Sequence, residues 1–196
     1  MRLAMLTALA ALPPGRWQEQ DLSDLTRIVR DALDASDLSS ASVQALLTLV
    51  TKLLPFYPAW SAPQLALIYR EREYIRLPQL GRPLTTDETR QLAHALLPML
   101  HAWQDREHEG ILVALSSLFK KRIRDFPELQ TILEKLLQDT RNNSTVWSIL
   151  HFFSLHLPER LDVLVPRLLE LDKSFITIGA VSSYLHRHRQ DLLTKA

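Results

Sequence analysis

The sequence predicts an all-α protein, and three observations carry that prediction. Apolar residues recur at steps of three and four through the periodic segments, strict apolar–polar alternation is hard to find, and the links between segments are only a few residues long. With 196 residues, 46% hydrophobic and 23% charged, the chain has the balance of a folded domain rather than a disordered tail. A single all-helical domain over 1–196 is expected. Its N-terminal half, 1–76, is less regular, 77–85 reads as a loop, and 86–196 reads as more regular helical hairpins.

Met1 to Leu12 reads as a first amphipathic helix stopped by Pro13-Pro14-Gly15. Ala8-Leu9-Ala10 also has the composition of a leader cleavage site, but one arginine and a short apolar stretch favour the helix. Leu22, Leu25, Ile28, Val29 and Leu33 share one face of a helix predicted over about 21–34, with Asp21, Asp24, Arg27, Arg30 and Asp31 opposite. After a polar break at 37–42, Val43, Leu46, Leu47, Val50, Leu53 and Leu54 form a strip broad enough to be buried on more than one side. Ser61 and Gln64 have the spacing of a capping box opening a helix over about 62–76. Two prolines and a glycine between Leu77 and Thr85 require a turn or extended loop. Thr85 and Glu88 then form a second capping box for a helix to about 105, with Pro98 predicted to kink or break it. Beyond Gly110, helices are predicted over about 111–124, 127–139, 144–156, 159–171 and 174–186, joined so closely that neighbours must run antiparallel.

The same composition excludes several function classes. The four glycines stand singly, so no loop can bring successive backbone N–H groups onto a phosphate. There is no cysteine, hence no disulfide framework, thiolate metal site or cysteine nucleophile. Neither Gly-x-Ser-x-Gly nor His-Glu-x-x-His occurs, and no catalytic residue or cofactor is expected. A net charge of +1 gives no chain-wide steering toward nucleic acid or membrane. No apolar run reaches the roughly 18–20 residues that span a bilayer, so the expected location is cytoplasmic, without membrane partners.

The second half shows an internal period. Phe126-Pro-Glu-Leu129 and Leu157-Pro-Glu-Arg160 lie 31 residues apart, and another 31 reaches His188-Arg-Gln-Asp191. At that offset Ile149 matches Leu118, and Tyr184 matches Phe153. In this period, its leucine content and its Pro-Glu step, the stretch from about 110 to 195 resembles the HEAT and armadillo class of helical repeats. The resemblance implies a short α-solenoid whose stacked hairpins present a binding surface to another macromolecule. The period is shorter than the usual HEAT length and no Asp/Arg ladder can be traced, so an irregular compact bundle is the alternative.

Protein is the expected partner, making the chain a non-catalytic interaction module or scaffold. The best-placed contacts are Lys120, Lys121, Arg122 and Arg124 at one helix end and Arg187 and Arg189 near the C-terminus, followed by Trp60 and Trp103 near helix boundaries. The same cations would serve phosphate contacts, so nucleic acid is the alternative partner. The resemblance extends that alternative to HEAT-like DNA glycosylases, which hold a duplex on a concave helical surface. Two histidine groupings also attract notice. His94, His101 and His108 recur every seven residues with Asp105 among them, a spacing that could share a metal, although no metal is expected. His151 and His156 fall in an apolar stretch with Trp147, Phe152, Phe153 and Leu155, where a buried imidazole would need a hydrogen-bond partner.

Overall fold

The computed structural model describes residues 2–71, 77–102, 109–140 and 142–193, and every regular element among them is helical. The chain divides into two compact units, Met1–Ala102 and Trp103–Ala196.

In the first unit the helices are α1 (Arg2–Ala11), α2 (Asp21–Leu33), α3 (Ser40–Leu53), α4 (Pro58–Glu71) and α5 (Thr86–Ala102). The central helix is α3, buried on several sides as its sequence requires, with α1, α2 and α4 against it. Lys52 of α3 donates from Nζ to the carbonyls of Ala10 at 3.0 Å and Ala11 at 3.3 Å. A cation thus satisfies two carbonyls that the end of α1 leaves without helical partners. Trp60 belongs to this unit's packing rather than to an exposed surface: its ring lies against the Ala10, Leu25, Leu49 and Leu53 cluster, and its indole N–H donates to Thr26 Oγ1 at 2.9 Å.

The two expected capping boxes separate. Thr85 Oγ1 accepts from the Glu88 N–H at 3.2 Å while Glu88 Oε2 accepts from the Thr85 N–H at 2.8 Å, the reciprocal arrangement that opens α5. Ser61 and Gln64 do not open α4. Pro58, whose missing N–H costs nothing in a first turn, starts that helix three residues before Ser61 and leaves Ser61 inside it. Nor does Pro98 interrupt α5, which continues through it to Ala102.

The second unit contains α6 (Glu109–Phe119), a 3-10 segment Lys120–Asp125, α7 (Pro127–Asp139), α8 (Asn143–His156), α9 (Pro158–Leu171), a 3-10 segment Lys173–Thr177, α10 (Gly179–His188) and the short α11 (Gln190–Leu193). Two boundaries differ from the sequence expectation: Lys120–Asp125 tightens to 3-10 geometry instead of prolonging α6, and 3-10 geometry over Lys173–Thr177 precedes α10.

A recurrent corner organises this unit. Phe126 (φ −135°, ψ 72°), Leu157 (φ −142°, ψ 54°) and Arg189 (φ −142°, ψ 55°) share one non-helical conformation and each separates two helical segments. At the first two the cause is the proline that follows, which excludes its predecessor from the helical region. The third corner falls at Arg189 rather than His188 because α9 has 14 residues where α7 has 13. Counted back from these corners, Leu185 rather than Tyr184 stands level with Phe153, and both are fully buried. Tyr184 instead matches Phe152.

Packing follows the same order. α6 packs against α8 and α8 against α10, while α7 and α9 each pack back on α8. Polar ties join successive segments. The buried Glu109 carboxylate accepts from Thr140 Oγ1 at 2.9 Å and Thr145 Oγ1 at 3.1 Å, and Arg160 of α9 donates through Nε to Glu134 of α7 at 2.7 Å. No helix among the described residues is long and apolar enough to cross a membrane.

Candidate functional site

The site lies on the second unit, in a groove of about 690 Å³ between α8 and α10, to whose lining the first turns of α9 also contribute. Its wall on α8 is a strip one turn apart at each step: Trp147, His151 and Leu155. Trp147 is 49% exposed and Leu155 57%, although the neighbouring Val146, Ile149, Leu150, Phe152 and Phe153 are buried. The Trp147 and His151 rings stack with centroids 4.9 Å apart and planes 10° apart, which holds the indole in place. His151 is therefore an exposed ring on an aromatic face, not the buried imidazole its apolar surroundings suggest.

The corner register explains why a groove forms here. Thirty-two residues after Trp147, His151 and Leu155 stand Gly179, Ser183 and Arg187, and all three line the opposite wall. Small side chains on α10 thus face bulky ones on α8. A methyl group added at Gly179 would meet no atom within 4 Å, so the space over this wall is open. Thirty-one residues before the α8 strip stand Ser116, Lys120 and Arg124; Ser116 is buried, and the two cations lie in the 3-10 segment Lys120–Asp125, outside the groove lining.

The groove's two carboxylates are already engaged by the chain. Glu159 pairs with Arg124 at 3.1 Å, and Asp162 accepts from Tyr184 Oη. Burial first, and the hydrogen bond to Asp162 second, push the Tyr184 phenol up to about 12, so it stays a protonated donor. Its ring also lies against His188, with centroids 5.4 Å apart. The pair at equivalent positions in α8, Phe152 and His156, repeats this contact at 4.8 Å.

Of the six expected cations, Arg187 lines the groove and Arg124 reaches it through Glu159. Arg189 pairs with Asp191 at 2.8 Å, and Arg122 with Asp125 at 3.5 Å. Lys120 and Lys121 lie outside the groove lining, near enough to His156 that their charges add to burial in lowering its imidazole below the ordinary range. Lys120 holds φ at 49°, the left-handed region usually left to glycine or asparagine, as the helical path tightens after Phe119. Among the described residues no carboxylate lies within ion-pair distance of Lys120, Lys121 or Arg187.

Elsewhere, His94 and His101 are exposed on α5, whereas Asp105, His108 and Trp103 lie outside the described residues. Among the described residues no three histidine or acidic side chains converge as a metal site. Of the six expected cations only Arg187 is in the groove lining, and the sequence reading missed the groove itself, whose available signal was Trp147, His151 and Leu155 at four-residue spacing. No family model, curated protein or solved structure matches the chain.

Proposed function

We propose that the second unit is a short α-solenoid of the HEAT and armadillo kind, serving as a non-catalytic interaction module that holds a protein partner in the α8–α10 groove. The matching corners at Phe126, Leu157 and Arg189 and the row of α6, α8 and α10 support the stacked-hairpin reading. One observation carries the function: a stacked, half-exposed Trp147 and the exposed Leu155 line a groove instead of being scattered over the surface. Aromatic side chains fixed in a concavity are the anchors from which protein interfaces draw most of their affinity. A cytoplasmic location belongs to the same proposal.

The test is affinity capture from a lysate of the source organism with the wild-type chain and a Trp147→Ala/Leu155→Ala variant, with and without nuclease, at two salt concentrations. The reading expects a discrete protein that survives nuclease and moderate salt and is lost with the variant. Capture of nucleic acid alone, falling steeply with salt, would replace it with the nucleic-acid alternative. A protein retained equally by the variant would remove the groove from the function.

A further inference from the structure

We infer that α4 has two alternative starts: the observed one at Pro58, and a second at Ala62 in which the turn over 58–60 unwinds and Ser61 and Gln64 close the capping box that their spacing encodes. The inference concerns the first unit and is independent of the groove. Three observations meet at this one shift of helix start. The Ser61 hydroxyl is fully buried and has no hydrogen-bond partner among the described residues. Gln64 Oε1, one turn further on, is likewise buried without a donor. Between them Pro63 lies inside the helix, where it offers no N–H to the Ala59 carbonyl and its ring crowds that carbonyl. Buried polar groups are nearly always paired, and an interior proline is the residue a helix tolerates least.

A start at Ala62 removes all three at once. With Ser61 as the N-cap, its Oγ accepts from the Gln64 N–H. Gln64 Oε1 in turn accepts from the Ser61 N–H, which the shift releases from the Tyr57 carbonyl it reaches at 2.9 Å in the observed helix. Pro63 becomes the second helical residue, where its missing N–H has no helical acceptor to satisfy. What holds the observed start is the anchoring of side chains around the turn. Tyr57 Oη donates to the Trp17 carbonyl at 2.6 Å, Trp60 Nε1 donates to Thr26 Oγ1 at 2.9 Å, and both rings pack on the cluster of Ala10, Leu25, Leu49 and Leu53. Local chemistry thus favours one start and tertiary packing the other, a conflict from which a two-state element is made. Releasing the Trp60 anchor moves α4 toward the second start, which makes this turn a conformational device rather than a frayed end.

The experiment is amide hydrogen exchange of the full chain followed by NMR, under conditions where exchange reports the opening equilibrium. The Ala62 N–H is the reporter: helical geometry bonds it to the Pro58 carbonyl in the observed state, and it is free at the first position of the second. In the wild type it should exchange at least about tenfold faster than the amides of 65–68, which keep their helical acceptors in both states. Fraying alone would do the same, and two substitutions at Gln64 separate it. Gln64→Met keeps the length and helix propensity but cannot receive the Ser61 N–H, and should slow Ala62 at least about threefold. Gln64→Glu keeps the box and adds a charge that a first turn favours and a buried position opposes, and should speed Ala62 by a similar factor. Trp60→Phe gives up the bond to Thr26, whose hydroxyl still donates to the Leu22 carbonyl at 2.9 Å, and should also speed it. Equal exchange at Ala62 and 65–68 in the wild type, or Gln64→Met and Gln64→Glu acting in the same direction or not at all, would overturn the inference. Should Gln64→Glu fail to fold, Gln64→Met decides, because fraying predicts no change there.

Discussion

Thr140→Val is the sharpest test of how the successive hairpins of the second unit are tied together. The valine keeps the shape of threonine and removes its hydroxyl. That hydroxyl donates to the Glu109 carboxylate at 2.9 Å and accepts from the Asn142 N–H at 3.1 Å. Glu109 and Thr140 are 8% and 6% exposed, so water cannot readily replace the lost partner. A hydrogen bond to a charged group is worth about 1.5–3 kcal/mol, and a buried acceptor left short of a donor costs a similar amount. A loss of about 2 kcal/mol follows, which for a urea slope of about 2 kcal/mol/M shifts the midpoint by about 1 M. Glu109→Met removes the acceptor and leaves the Thr140 and Thr145 hydroxyls buried together, which sets its cost at about 3 kcal/mol. In the double variant the Glu109–Thr140 bond is lost only once, so the combined effect should fall at least about 1 kcal/mol short of the sum. Urea unfolding of the four chains, followed by circular dichroism at constant slope, completes the cycle. A Thr140→Val change within about 0.5 kcal/mol of wild type, or strict additivity, would refute the view that this buried carboxylate couples the start of α6 to the α7–α8 link.

Four further outcomes are expected. Burial, reinforced by Lys120, Lys121 and His151, lowers the His156 imidazole from its ordinary 6.5, so the unfolded chain takes up the proton more readily. That contribution to stability is complete above about 6.5 and lost as pH falls through the lower folded value. Between pH 7.5 and 5 the wild type should therefore lose more denaturant resistance than His156→Gln, and parallel profiles would contradict the assignment. Lys120→Gly should stabilise the chain by about 0.5–1 kcal/mol, because relief of a left-handed strain of about 1–2 kcal/mol exceeds the added freedom of the unfolded chain; a lowered melting temperature would oppose it. Thr85→Ala should cost about 1 kcal/mol by removing the α5 cap. Its partner Glu88, held down to about 2 chiefly by its hydrogen bond from Arg82, contributes stability above about 4.5 that disappears as pH falls toward 2, so Glu88→Gln should flatten the acid limb of a pH–stability profile.

Much of the fold is legible because helical spacing and proline placement act locally. Pro127 and Pro158 fix two helix starts whatever surrounds them, and the helix predicted over 127–139 is found with those bounds. Errors arise where a local signal competes with an earlier one. Ser61 and Gln64 carry the letters of a capping box, but Pro58 has already begun the helix. The constant 31-residue spacing misses the third corner by one residue for a related reason: letters at 188–191 are aligned at equal steps, whereas the extra residue of α9 is visible only when its end at Leu171 is known.

The groove was hidden by the composition of α8. When nearly every side of a helix is apolar or aromatic, periodicity cannot say which side is buried, since Trp147 and Leu155 look as suited to a core as Ile149 and Phe153 do. What decides is the neighbour. In the corrected register the residues facing the α8 strip are Gly179, Ser183 and Arg187, two of them too small to cover it and one too polar. An apolar strip set beside small and charged residues on its packing neighbour remains uncovered even though its own helix is well buried. The cations singled out from sequence acquire their meaning in the same way. Arg187 lines the wall across from the strip and Arg124 reaches the groove through Glu159, so charges that look like ordinary helix-end residues take their place from the neighbouring element, while Lys120 lies outside the lining. Arg124 is spent on Glu159, while Asp162, hydrogen-bonded to the neutral Tyr184 hydroxyl, keeps a charge that offsets Arg187 in the groove lining. Reversing Arg187 therefore breaks no ion pair among the described residues, whereas reversing Arg124 would strip Glu159 of its partner and alter the groove itself.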